Sequence, residues 1–182
     1  MGEMLARSSY LRLVTAEAPP RDEPPATAAF RENVRFAHAI AFRILGREAD
    51  VDDLLQDLFI AAGRDLRDTS NAAAVRRWFA VATVRMARRR ARRQRLLRFF
   101  GVDEPGFDAF VSPSATPEQQ AEVKALHGIL LQVPLEERIA WTLRHLEGLP
   151  LADVADACGC SLATAKRRIA AAHELIEEVW NG

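Results

Sequence analysis

The sequence predicts an all-α protein built as two small helical domains joined by a flexible linker, and three observations predict it. Apolar residues recur at helical spacing along most of the chain. β-branched residues are scattered and do not alternate with polar ones in short runs, which argues against a sheet. Two stretches rich in proline, glycine, acidic and small residues interrupt the helical pattern, "AEAPPRDEPPATAA" at 16–29 and "GVDEPGFDAFVSPSATP" at 101–117. The expected organisation is a flexible tail at 1–28, a helical domain at 29–100, a linker at 101–116 and a second helical domain at 117–182. At 182 residues and 49% hydrophobic content, the chain has room for one ordinary domain or two small ones.

In the first domain, Phe30, Val34, Ala37, Ala41 and Ile44 form the apolar stripe of a helix that Gly46 ends. A second helix is expected from Asp50 as N-cap, with Leu54, Leu55, Leu58, Phe59 and Ala62 on its buried face and Gly63 as its stop. A third starts near Asn71 and runs without glycine or proline to Gly101. Val75, Phe79, Ala82 and Met86 make its buried face, with Trp78 beside them. Past Met86 the apolar face thins out, so the end of this helix is expected to project from the core into solvent or onto a partner.

In the second domain, Thr116 is placed as an N-cap, Pro117 at the first helical position and Gln119 for a capping box. Pro134, Glu136 and Glu137 start the next helix, and His145 and Gly148 mark its end. Two further helical patterns, 151–158 and 161 onward, meet at Gly159 with the layout of a helix-turn-helix. With Leu162, Ala165 and Ile169 facing inward, Ala163, Thr164, Arg167 and Arg168 turn outward with Lys166 at the flank. Such a face suits a major groove: Arg167 can give a guanine two hydrogen bonds, while Lys166 and Arg168 hold phosphates. A plain helical hairpin with a solvated basic face is the competing reading of this segment alone.

Charge is segregated. The 25 basic and 25 acidic residues cancel, yet ten arginines and no acid lie between Arg76 and Arg98. Arg85, Arg88, Arg92 and Arg95 fall along one stripe, with Arg89 and Arg93 next to it, a line of positive charge for a phosphate backbone. Catalytic constellations are missing: the chain has no glycine-rich phosphate loop, no HExxH, and no Ser or Cys near a His in a known motif. His38, His127, His145 and His173 are scattered, and Cys158 and Cys160 read as two small, reduced core thiols. No catalysis, metal or cofactor is expected. Charges break the apolar run at the N-terminus, and no stretch is long enough to span a bilayer, so a cytoplasmic protein without membrane insertion is expected.

Three segments carry a family resemblance. "ADVDDLLQDLF" at 49–59 resembles the acidic amphipathic motif of region two in bacterial sigma factors. "RRWFAVATVRMARRRARR" resembles the tryptophan-led helix that follows it in the family, and "PLEERIAWTLRHLEGLPLADVADACGCSLATAKRRIAAAHELIEE" resembles region four. With only these two regions and a short linker, the chain is similar to the extracytoplasmic-function (ECF) sigma factors. It departs from the family pattern where Val84 and Arg85 replace an Arg-Asn pair, Ala165 replaces a valine, and Arg167 replaces a common serine.

The resemblance implies a protein that binds core RNA polymerase and directs promoter recognition, strand opening and transcription initiation. It implies polymerase contacts on the exposed side of the second helix, at Asp53, Gln56, Asp57 and Ile60. DNA contacts follow at Arg85, Arg88, Arg89, Arg92 and Arg95, and at Ser161, Ala163, Thr164, Lys166, Arg167 and Arg168. The short polar turn Asp68, Thr69, Ser70 and Asn71 is a candidate pocket for an unstacked base of the melted non-template strand, or a set of helix caps. Partners are then polymerase, promoter DNA as duplex and melted strand, and an anti-sigma protein. The acidic linker, with Asp103, Glu104 and Asp108, follows a basic channel in the polymerase or shields the arginines. Two other classes remain: a stand-alone helix-turn-helix regulator, and an RNA-binding protein that uses only its arginine helix.

Overall fold

Proline opens the first helix and glycine closes it. In the computed structural model, which describes residues 23–99 and 116–181, α1 spans Pro25–Leu45. Pro25 lies in its first turn, where the missing N–H costs nothing, and the N–H groups of Thr27 and Ala28 bond to the Pro24 carbonyl. The helix therefore begins inside the stretch expected as tail. Gly46 takes φ 75° and returns its N–H to the Phe42 carbonyl at 2.8 Å. The expected stripe from Phe30 to Ile44 is buried throughout.

Helix α2 is Glu48–Asp65 and α3 is Ala72–Phe99. Asp50 does not cap α2. Arg47 holds the extended cap position and Asp50 sits in the first turn, where its charge suits the helix dipole. Gly63 does not stop α2 either; no side chain crowds it, and the helix closes one turn later where the Leu66 N–H meets the Ala62 carbonyl at 3.0 Å. Asn71 caps α3, its Oδ1 accepting from the Ala74 N–H at 3.0 Å. Leu54, Leu55 and Leu58 of α2 are fully buried with Phe30 and Phe79, each such side chain stabilising the fold by about 1.5–3 kcal/mol.

The second domain comprises α4 (Pro117–Gln132), α5 (Leu135–Trp141) with a π turn at Thr142–Leu146, α6 (Leu151–Cys158) and α7 (Leu162–Asn181). Ile129, Leu130, Val133, Trp141, Ala172 and Ile176 form its own small core. Its other face joins the first domain. Ile139, Ala140, Leu143, Val154 and Ala155 belong to the same buried cluster as Phe79, Ala80, Val84 and Ala87 of α3. Small residues on α3 and α6 let these two helices pack closely, and α4 and α5 rest on α1. Arg138, itself buried, spans the junction with bonds to the carbonyls of Leu130 at 3.3 Å and Ile44 at 3.0 Å. Arg43 of α1 pairs with Glu147.

Helix α3 is held against the fold as far as Gln94, and beyond it Leu96 (61% exposed) and Phe99 (83% exposed) project as expected. Gln94 is buried and donates to Asp50 at 2.7 Å, and Ala91 packs against the shared core. Residues 1–22 and 100–115, which carry most of the expected tail and linker, lie outside the described residues. Among the described residues there is no strand, and no helix is long and apolar enough to cross a membrane.

Candidate nucleic-acid interface

The turn between α6 and α7 is built from local rules. Gly159 takes φ 63°, a left-handed conformation that costs a residue with a Cβ, and the Cys160 N–H reaches the Ala155 carbonyl at 3.0 Å. Ser161 caps α7: its Oγ accepts from the Thr164 N–H at 3.2 Å and lies 3.0 Å from the Thr164 hydroxyl. Ala165 is fully buried, so the position where the family has valine is a close packing point. Ser161, Ala163, Lys166 and Arg167 are exposed, and Thr164 is half-buried. Leu162, expected inward, is 51% exposed. Helix side chains lean toward the N-terminus, so a residue in the first position has no preceding turn of its own helix to pack on.

The line of arginines on α3 is exposed at Arg85, Arg89, Arg92, Arg93 and Arg95 and interrupted at Arg88. Arg85 and Arg89 are exposed and line a 300 Å³ hollow with Asp57, Ile60 and Arg90 beside α2. Arg88, 20% exposed, instead faces Glu136 of the second domain at 3.0 Å, and Arg92 touches the same carboxylate at 3.3 Å while its side chain stays 67% exposed. The same carboxylate lies 3.3 Å from Arg168 of α7. Arg95 lines a 610 Å³ cleft between the domains, and Arg93 is exposed. The stripe is interrupted because the second domain packs against Arg88, a long-range pairing that helical periodicity does not contain.

On α2, Asp53, Gln56, Asp57 and Ile60 are all exposed, and Ile60 is 66% exposed beside the acids. Arg90 bridges this strip to α3, bonding the Asp53 carbonyl at 3.3 Å and pairing with the Asp57 carboxylate. Below it, Asp52 is pushed up to about 6 by burial and by neighbouring Glu48, with His38 opposing.

At the polar turn before α3, Asp68 accepts from the Ser70 N–H at 2.8 Å, and hydrogen bonds to Ser70 hold its carboxyl below the usual range. Asn71 is occupied as a cap. Thr69 lines a 350 Å³ hollow between α1 and α3, together with Asn33 and Arg76, two residues that the sequence reading missed. Arg76 stacks 3.8 Å over the Phe36 ring, and no sequence signal marks that pairing across two helices. Glu136 was also missed, since its place at a helix start accounts for it as a first-turn acid.

Among the described residues no group of three or more His, Cys, Asp or Glu is arranged to hold a metal. Cys158 and Cys160 are separate thiols, and burial pushes Cys158 up to about 11, away from thiolate chemistry.

Known proteins share both halves of this architecture. Residues 29–96 match sigma-70 region 2, and residues 124–174 match sigma-70 region 4. The chain is 28% identical over 138 residues to the ECF RNA polymerase sigma-E factor of Haemophilus influenzae, covering 70% of this chain and 73% of that protein. It is 29% identical over 144 residues to the ECF RNA polymerase sigma factor SigM of Mycobacterium tuberculosis, covering 79% of this chain and 70% of that one. Its fold resembles the sigma factor RpoE of Bartonella quintana, solved in complex with the anti-sigma factor NepR. The TM-score is 0.67 at 21% identity, over 83% of this chain and 95% of that chain. With both regions matched in order over more than half its length, and with curated relatives of the same kind, the chain belongs to the sigma-70 family, in its extracytoplasmic-function group.

Proposed function

We propose that this protein is an initiation factor that binds core RNA polymerase and directs it to promoters, with region 2 and region 4 dividing the work. The observation that carries this reading is the presence of both regions in one short chain, in family order. A polymerase-binding strip is formed by Asp53, Gln56, Asp57 and Ile60, where an exposed isoleucine beside carboxylates offers apolar contact and charge to a basic partner helix. The first domain, residues 29–100, holds the promoter element near the start site and captures bases of the melted non-template strand. The hollow lined by Thr69, Asn33 and Arg76 has the polar and cationic groups for that role.

The second domain, residues 117–182, reads duplex through Ser161, Ala163, Thr164, Lys166, Arg167 and Arg168. Arg85, Arg88, Arg89, Arg92 and Arg95 engage backbone phosphates along α3, and residues 101–116 join the two readers. The protein works in the cytoplasm and makes or breaks no bonds itself; RNA synthesis belongs to the enzyme it joins. An anti-sigma protein is the expected regulator, as in the Bartonella complex.

Reconstitution with core polymerase and a promoter library tests the reading. RNAs with discrete 5′ ends that depend on the added protein are the expected result. Sequence-specific duplex footprints without polymerase, and no promoted RNA with it, would point to a stand-alone regulator.

A further inference from the structure

Glu136 stands in the first turn of α5, between the two helices proposed to hold DNA. Its Oε1 lies 3.0 Å from Arg88 Nε and 3.3 Å from Arg92 Nη2, both on α3, and its Oε2 lies 3.3 Å from Arg168 Nη1 on α7. Arg88 also donates from Nη2 to the Cys158 carbonyl at 3.1 Å, at the end of the first helix of the helix-turn-helix. Arg77 lies 3.6 Å from Asp156 on the same side. One carboxylate thus occupies guanidinium groups from both domains.

We infer that Glu136 is an intramolecular stand-in for a DNA phosphate, latching the free chain closed with Arg88 and Arg168 turned inward and Arg92 held at the exposed rim. The inference rests on the reading of these arginines as DNA contacts. Its physical basis is the way three guanidinium groups share two carboxylate oxygens. Only Arg92 is aligned as a hydrogen bond. Arg88 Nε and Arg168 Nη1 are buried, and among the described residues no acceptor lies along their N–H directions. Buried donors without aligned acceptors cost free energy, and successive phosphates along a duplex supply more acceptor oxygens than one carboxylate. Closed chain and DNA therefore compete for the same groups. Ile60, Asp53 and Gln56 stay exposed in the closed form, so the latch leaves the proposed polymerase strip accessible.

The test compares E136Q with E137Q, adjacent substitutions that change net charge by the same amount. Affinity for a labelled promoter duplex is measured without polymerase at about 100 mM salt, alongside the distance between spin labels placed on the two domains. E136Q is expected to bind roughly tenfold tighter and to show a longer distance, while E137Q stays within about twofold of the parent. Glu136→Asp keeps the charge but shortens the reach, so it too is expected to bind more tightly; it serves if the glutamine variant fails to fold. Equal affinity and distance for Glu136 and Glu137 variants, or no gain with Glu136→Asp, would overturn the latch. Initiation assays with core polymerase separate the two ideas, because loss of initiation by every variant and the parent sinks the sigma reading while duplex affinities still report the latch.

Discussion

The side chain of Arg138, on the second domain, donates a hydrogen bond at 3.0 Å to the carbonyl of Ile44 in the last turn of α1. That carbonyl belongs to a helix end, whose acceptors have no partner within the helix, and a cation there also meets the favourable end of the dipole. The same guanidinium reaches the Leu130 carbonyl at 3.3 Å, so one buried charge closes α1, ends α4 and joins the domains. Methionine would fill much of the space while leaving two carbonyls without this donor. Arg138→Met is expected to lower stability by about 2–3 kcal/mol, read from the urea midpoint. A change below about 0.5 kcal/mol would show that these bonds contribute nothing net.

Gly46 supplies the geometry that lets α1 end beneath α4. Its φ of 75° is strained for a side-chain-bearing residue, whereas an added Cβ would meet only ordinary contact at 3.4 Å with Leu131. Gly46→Ala is therefore expected to cost roughly 1–2 kcal/mol from backbone strain, with helix content in circular dichroism retained. A Gly63→Ala variant is the comparison: that glycine lies inside α2 with no side chain near it, and alanine there should stabilise by about 0.5–1 kcal/mol.

His127 gives stability a pH dependence of known sign. It is buried at the domain junction, 5.0 Å from the Phe42 ring, and desolvation with the charges of Arg138 and Arg43 lowers it to about 4. Below an unfolded value near 6.5 the unfolded chain takes up a proton that the folded chain refuses. Stability is thus lost as pH falls from about 6.5 to 4, on the order of 2–3 kcal/mol. Asp52, raised to about 6, works the other way: the folded chain binds its proton first, and stability is gained as pH falls through 6 toward 3.8. The difference between parent and His127→Gln across that range isolates the histidine. Parallel curves would remove it as the source.

How much of this was legible in the sequence depended on range. The stripe from Phe30 to Ile44, the Asn71 cap and the turn at Gly159 follow from neighbours within a few residues, and the chain adopts all three. Asp50 and Gly63 were misplaced because a cap signal is only one competitor, and packing of the leucine face extends α2 beyond both. The inward turn of Arg88 was not legible. Whether Arg88 faces solvent or Glu136 depends on how residues more than forty positions apart dock across 100–115, and helical periodicity stops at the edge of each helix. Among the proposed site residues, those on α2 lie on one exposed face as their spacing implies, while the α3 set is interrupted at Arg88.

The strip on α2 predicts a polymerase effect separable from folding. Ile60 is 66% exposed, so Ile60→Ala creates no cavity and should leave the melting temperature within about two degrees of the parent. Affinity for core polymerase, measured by fluorescence anisotropy, is expected to fall about tenfold. Asp57→Arg should weaken it further, since it reverses a charge and sets a second cation beside Arg90. Parent-like affinity in both variants would place the contact elsewhere.

Lys166 and Arg167 are adjacent on the exposed face of α7, yet their chemistry separates what each does for DNA. In the free chain the Arg167 guanidinium rests 3.5 Å from the Thr164 hydroxyl, a weak contact that is easily exchanged for two acceptors on a guanine edge. Arg167→Ala is therefore expected to relax sequence preference by about 1–3 kcal/mol at one base pair while changing the salt dependence little. Lysine is a point charge suited to phosphate, so Lys166→Ala should weaken all sequences alike and reduce the slope of log affinity against log salt by about one. Binding measured on a duplex series over several salt concentrations distinguishes the two. If both variants lose affinity uniformly, α7 holds the backbone without reading bases, and promoter choice rests with the first domain.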